Sequence, residues 1–240
     1  MEHATDKKTA TELWQQVYLP RWAAQRAAED QRRAEDFLNV TMPLACTRAV
    51  KMTGRHFLLL DGIESPFLLV NRETGAPVSE LATADDLLNF LWIVSADNVD
   101  GTLGGGWRHY LLRGRVSALA QNPIKFSHAL AEVEAYVTRT FADKPARGGE
   151  PGKPMGTHFL APLVIGIACE TGWTEDEILD KPLARLFQYL RVIDRRERGA
   201  KAKDYSQSDV ITQNWIDEIN ARRRQGTLAE DELTLGGGRN

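Results

Sequence analysis

Cysteine is nearly missing: Cys46 and Cys169 are the only two in 240 residues, with no CxxC spacing and no companion histidine cluster. That pattern argues against a disulfide scaffold, and the two read as reduced, buried thiols of a cytoplasmic protein. Long apolar runs are missing as well. No stretch approaches the roughly 18 residues that a membrane span needs, and Met1 to Thr11 is polar, without an apolar leader segment. Neither secretion nor membrane insertion is expected. An excess of one charge is also missing: 30 basic residues against 33 acidic leave a formal charge of -3. No global cationic field therefore exists to draw nucleic acid, and any such binding has to be local.

The short signatures of catalysis are missing too. There is no GxGxxG, no GxxxxGK[ST], no GxSxG, no HExxH and no EF-hand loop. The glycine triplet Gly104 to Gly106 lacks the preceding strand and the Lys-Ser/Thr step of a phosphate loop, so it reads as a flexible connection. His128 and Glu132 stand four apart on one helical face, but one such pair is half a metal site, and a surface ion pair is the simpler reading. His3, His56, His109 and His158 are scattered singly and read as packing or surface residues. No catalytic residue, metal or cofactor follows from the sequence.

What is present is ordinary globular composition, 42% hydrophobic and 26% charged, enough to bury a core. Helical periodicity dominates. A first element runs from about Ala10 to Leu38, with a break or kink expected near Leu19 because Pro20 lacks a backbone donor and clashes with the preceding turn. Thr53 to Val70 is ambiguous between helix and strand; His56, Phe57, Leu59, Leu60 and Ile63 favour a helix, with Ser65-Pro66 opening a second short one. Thr83 and Asp86 form a capping box ahead of the apolar run Leu87 to Val94. Further helices are expected from Trp107, and from Pro123 to Phe141, where Phe126, Leu130, Val133, Val137 and Phe141 recur at three and four.

Asp143 to Gly156 carries four glycines and three prolines, a flexible linker expected to divide the chain into halves. Beyond it come a helix through Leu163 and Ile167, a short one capped by Thr174 and Glu177, and one from Pro182 with the face Leu183, Leu186, Phe187, Leu190 and Ile193. A last helix is supported by Ile211, Trp215 and Ile219. The fold class is all-α, an irregular bundle of about seven or eight helices. Its expected organisation is an amino-terminal helical extension over 1–40, a helical core over 41–143 and a linker over 144–156. A hairpin-like helical segment over 157–193 packs on the core, and 194–240 is a charged helix and tail.

The acidic string Glu175, Asp176, Glu177 and Asp180 is explained by capping and the helix dipole. The two helices around Asp180-Pro182 suggest a helix-turn-helix, but the second spends its best face on apolar residues and leaves only Arg185, Gln188 and Arg191 outward. Arg195, Arg196, Arg198, Lys201 and Lys203 are diluted by Asp194, Glu197 and Asp204, which weakens a phosphate-binding reading.

Four segments in order resemble a family of tail assembly chaperones of tailed phages and prophages with long, non-contractile tails. They are HFLLLDGIESPFLL, DLLNFLWIVS, LAEVEAYVTRTFAD before the Gly/Pro linker, and LVIGIACETGWTEDEILDKPLARLFQYLRVI. They span about Arg55 to Ile193, with GWTEDEILDKPLARLFQYL carrying most of the weight. The helix to Leu38 has no counterpart in the resemblance, and the tail after Ile193 is longer than the family's, either an appended tape-measure-binding segment of the kind some tail chaperones carry or something unrelated. It implies a non-enzymatic helical protein of the bacterial cytoplasm, absent from the mature virion. Such a protein binds the tape-measure protein, keeps it soluble and delivers it for tail-tube assembly, with the tail-tube protein as a further contact.

Helix-in-groove binding of that kind needs aromatic anchors, for which Trp92, Trp107, Trp173, Phe187 and Trp215 are candidates, with Arg195, Arg196 and Arg198 as charged contacts. The competing reading of the aromatics is ordinary core. Two other functions compete with the chaperone: a structural tail or connector protein of the virion, and a nucleic-acid-binding regulator using the basic region after Asp194.

Overall fold

The computed structural model describes residues 9–38, 41–68, 81–98, 101–144, 158, 160–198 and 207–226. Its elements in chain order are α1 (Ala10–Leu13), a π-helical turn (Trp14–Tyr18), α2 (Leu19–Glu35), β1 (Met42–Leu44), β2 (Thr47–Ala49), α3 (Gly54–Gly62), α4 (Ala84–Ile93), α5 (Gly106–Ala120), α6 (Pro123–Phe141), α7 (Leu160–Thr171), α8 (Glu175–Leu179), α9 (Leu183–Arg198) and α10 (Gln207–Arg224). The chain is all-α. It divides into two compact units, one formed by both ends, 1–35 with 203–240, and the other by 36–202.

In the unit of the two ends, Thr9 and Glu12 close a capping box at the start of α1. Of the break or kink expected near Leu19, the break is absent, and the helix runs on through Pro20. The turn before the proline widens instead: the Leu19 N–H donates to the Trp14 carbonyl, five residues back. A wide turn absorbs the donor that proline lacks without ending the helix. α2 packs along α10, where Trp14 meets Trp215 at a ring-centroid distance of 4.9 Å.

The larger unit is organised around α4. Beyond the acidic first turn of Asp85 and Asp86 its sequence is apolar but for Asn89, and Leu87, Leu88, Phe90, Leu91, Trp92 and Ile93 are all buried. So wide an apolar surface belongs in an interior, and each such side chain removed from water contributes about 1.5–3 kcal/mol. α5 and α3 pack on it, and α6, α7 and α9 complete the core through Val133, Tyr136, Leu163, Ile167, Leu186 and Phe187. A chain of rings links these layers, Phe57 to Phe141 at 5.9 Å and Phe141 to Phe187 at 5.7 Å.

One element went unpredicted. β1 and β2 pair antiparallel in register Met42 with Ala49, Pro43 with Arg48 and Leu44 with Thr47. The turn residue Ala45 sits at φ 48, a left-handed conformation normally taken by glycine or asparagine, so the usual hairpin signal is missing from the sequence. The amide of Ala45 donates to Glu132 Oε2 at 2.6 Å, an anchor from α6.

The segment after the hairpin, residues 50–52, is a backbone hub. Val50 donates to the Val94 carbonyl at 2.9 Å, Leu183 donates to the Met52 carbonyl at 2.8 Å, and the Tyr136 hydroxyl donates to the Val50 carbonyl at 2.6 Å.

The ambiguous stretch is helical over Gly54–Gly62, but residues 66–68 are turns, so Ser65-Pro66 opens no helix within the described residues. The Gly/Pro linker lies almost wholly outside the described residues. The helices flanking it, α6 and α7, belong to the same unit, so it is not a boundary between folded halves. α9 continues past Ile193 to Arg198.

Candidate functional site

The residues expected to bind a partner separate by burial. Trp92 and Phe187 are core: Trp92 is 5% exposed with its indole N–H donating to the Thr102 carbonyl at 2.9 Å, and Phe187 is 1% exposed. A fully packed ring cannot anchor a partner without unfolding its own core. Trp173 is half-buried, packed edge-on to Tyr189 at 5.6 Å and covered by the Lys181 ammonium at 4.1 Å. Trp215 is half-buried against Trp14. Only Trp107, 69% exposed, presents its ring to solvent. Arg195 is exposed, Arg196 is exposed and paired with Glu170, and the side chain of Arg198 lies outside the described residues.

The three side chains expected to point outward from the second helix of the helix-turn-helix are used internally. Arg185 Nη2 donates to the Phe37 carbonyl at 2.7 Å and Gln188 to Asp36 Oδ2 at 3.2 Å. Arg191 Nη1 lies 2.5 Å from Asp143 Oδ1. Base-edge contact would require breaking all three.

The thiols are corrected as well. Cys169 is exposed and Cys46 half-buried, because α7 turns Cys169 away from the core and Cys46 sits in the hairpin turn. Burial holds the Cys46 thiol above its ordinary value, so it is not an activated nucleophile. His128 and Glu132 meet at 3.0 Å as an exposed pair. Among the described residues no three His, Cys, Asp or Glu side chains gather in a metal-binding group. Within the same limit, no helix is long and apolar enough to cross a membrane.

What the fold does assemble is a groove where α3, α7 and α8 meet. It holds about 310 Å³ and is lined by Leu58, His158, Leu160, Ala161, Val164, Ile165, Glu175 and Leu179. Its floor is the buried pair Leu160 and Leu179, while Leu58 and Ile165 stand exposed at 40% and 63%. α8 is fixed there by the Thr174–Glu177 capping box, whose hydrogen bonds from the Thr174 amide and hydroxyl hold the Glu177 carboxyl below its ordinary value. Arg55 of α3 ties the other side, reaching Asp176 at 2.7 Å and Asp180 at 2.5 Å. The acidic string of α8 is thus spent on capping and on Arg55.

Sequence reasoning named none of these groove residues as candidates. The available signal was an excess: Phe57 to Leu60 and Leu163 to Ile165 are unbroken apolar runs, longer than one buried helical face can hold, so a member of each must face outward.

A wider cleft of about 560 Å³ adjoins it through the shared Leu58 and is lined by Thr53, Arg55, His56, Leu59, Asn98, Gly101 and Asp180. Its ionisable groups are engaged with one another. His56 Nδ1 accepts from the Thr53 amide at 3.2 Å, and burial lowers the imidazole pKa to about 4 against a weaker opposing pull from Asp180. That imidazole is a helix cap, not a poised base. No family model matches the sequence, and no match was found among curated proteins or solved structures.

Proposed function

We propose that the chain is a tail assembly chaperone of a tailed phage or prophage, which holds apolar helical segments of the tape-measure protein in the α3/α7/α8 groove and keeps that long chain soluble until the tail tube forms. One observation supports this reading above the rest. The groove is lined by Leu58 from the first of the four resemblance segments and by Val164, Ile165 and Leu179 from the last. Residues far apart in sequence, and within the segments that carry the resemblance, converge on an open apolar channel. Its chemistry is that of helix-in-groove binding, an apolar floor with exposed aliphatic rims and few charges. On this reading the groove binds its partner and does no chemistry on it.

The internal use of Arg185, Gln188 and Arg191 weighs against the nucleic-acid reading. The virion-subunit reading differs from the chaperone in fate, since a chaperone leaves before the particle is finished.

The reading expects a long, helix-rich product to be encoded next to this chain, and the test is co-expression with that product. Soluble yield and co-purification of that product should rise with the wild type and fall with Leu58→Glu or Ile165→Glu, both exposed positions. If the long product stays insoluble and nothing co-elutes, the chaperone reading is overturned. Recovery of the chain from purified particles in stoichiometric amount would instead assign it to the tail structure.

A further inference from the structure

α5 carries a second surface, outside the four resemblance segments and independent of the chaperone reading. Its inward face is accounted for: Leu112 and Val116 are buried against α4 and α6, and His109 packs edge-on to Trp92 at 5.1 Å. The opposite face is also apolar. Trp107, Tyr110 and Leu111 are 69%, 75% and 49% exposed, and they continue through Gly114 and Ala118, both exposed, at spacings of three and four. A helix apolar on two opposite faces is built to lie between two layers, and this chain supplies one of them. Nothing lies within 4 Å of where a Gly114 side chain would project, so a partner backbone can approach closely there.

The charges that α5 itself sets beside the stripe have one sign, and Asp97 is the acid that meets them. The helix contains Arg108, Arg113 and Arg115 and no acidic residue. On the helical wheel Arg113 flanks the stripe on one side, Arg108 and Arg115 on the other. Arg108 is partly neutralised by Asp97 at 3.2 Å and lies over the Trp107 ring at 5.5 Å. Arg115 donates to the Cys46 carbonyl, a neutral acceptor, at 3.3 Å and has no ion-pair partner among the described residues. Arg113 is exposed and has no ion-pair partner among the described residues. Beside the stripe a cleft of about 280 Å³, with Trp92, Trp107, Leu111 and Leu112 on its apolar side and Thr47, Ser95, Asp97, Arg108 and Arg115 on its polar side, offers room for one large side chain with a polar edge.

We propose that this face docks an acidic amphipathic helix of another protein, its apolar stripe on Trp107, Tyr110 and Leu111 and its carboxylates on the flanking arginines. A second copy of the chain is the poorer occupant. Pairing α5 with itself sets arginine against arginine whichever flanks meet, and like charges across an interface oppose association.

The test uses the full chain and two fluorescein-labelled helical peptides of about five turns. One has a leucine stripe flanked by glutamates, and the other replaces every glutamate by lysine. The glutamate peptide should raise the anisotropy and the lysine peptide should bind at least about tenfold more weakly, a difference that shrinks in high salt. Leu111→Glu should lose the glutamate peptide, whereas Leu58→Glu in the other groove should not. Arg113→Glu with Arg115→Glu should invert the preference. All four positions are at the surface, and circular dichroism verifies the fold. Equal binding of both peptides, no binding of either, or loss of binding with Leu58→Glu in place of Leu111→Glu would overturn the proposal. So would concentration-dependent dimerisation abolished by Leu111→Glu, or tight duplex DNA binding that displaces the peptide.

Discussion

Gly54 and Leu179 are in direct contact where α3 meets α8: a Cβ on Gly54 would fall 2.8 Å from Leu179 Cδ2, 3.2 Å from its Cα and 3.3 Å from its carbonyl oxygen. The side-chain atom can rotate away, but the backbone of a capped and ion-paired helix cannot. Replacing glycine by alanine in a helix ordinarily stabilises by ~0.5–1 kcal/mol. Here Gly54→Ala should destabilise by about 1–3 kcal/mol through overpacking. Gly62, in the same helix with nothing within 4 Å, supplies the control and should tolerate alanine. Urea unfolding midpoints of the two variants decide the matter, and equal midpoints would show that the approach is not tight.

His56 makes the fold acid-sensitive in a defined window. Its neutral Nδ1 accepts the Thr53 amide, and burial lowers its pKa to about 4, while an unfolded histidine titrates at 6.5. A depressed folded pKa means that the unfolded chain binds the proton first. The stabilisation is therefore complete above pH 6.5 and is lost as pH falls towards 4, amounting to ~3 kcal/mol at ~1.4 kcal/mol per pK unit. His56→Gln keeps an acceptor and removes the titration. The dependence of unfolding free energy on pH between 4 and 6.5 should flatten in that variant, and an unchanged slope would remove His56 as its cause.

How far the fold was legible follows from where the signals were local. Thr83 with Asp86, Thr174 with Glu177 and the spacing of Leu183, Leu186 and Phe187 predicted helices that the structure contains, because capping and amphipathicity are written within a few residues. The hairpin was not legible: Ala45 adopts its left-handed turn only because Glu132, 87 positions away, captures its amide. Nor were the roles of Arg185, Gln188 and Arg191, whose partners lie on the turn after α2 and at the end of α6. Of the eight candidate binding residues only Trp107 proved to be an exposed aromatic. Helical spacing says which residues share a face, whereas exposure depends on what other elements cover.

Tyr18 and Glu218 pair α10 with the π-helical turn, the hydroxyl donating to a carboxylate that Arg222 also holds at 2.7 Å. The shared hydrogen bond raises the Tyr18 pKa above 10.0 and lowers that of Glu218 below 4.5, with Arg222 adding to the latter. The signs give two limits. Glu218 stabilises the pairing above the ordinary carboxylate range and loses that effect as pH falls through its depressed folded pKa; Tyr18 loses its effect only as pH rises through its raised one. The indole signals of Trp14 and Trp215 report on this contact in NMR spectra. In Tyr18→Phe their acid transition should move up in pH towards the ordinary carboxylate value, and a fixed midpoint would mean that the hydrogen bond does not control it.

Asp143 and Arg191 form a buried ion pair, at 2.5 Å with side-chain exposures of 1% and 16%. Desolvation makes such a pair a weak source of net stability, whereas removing one partner leaves a charge stranded. Arg191→Met should therefore destabilise by about 3 kcal/mol, because the Asp143 carboxylate stays inside the protein with its nearest cation gone. The double variant Asp143→Leu with Arg191→Met should recover most of that loss, since two apolar side chains of suitable volume fill the site without a buried charge. A double-mutant cycle on urea unfolding measures the coupling. If the two single losses simply add, the pair is not coupled, and α6 and α9 are held together by the Phe141–Phe187 contact and its neighbours alone.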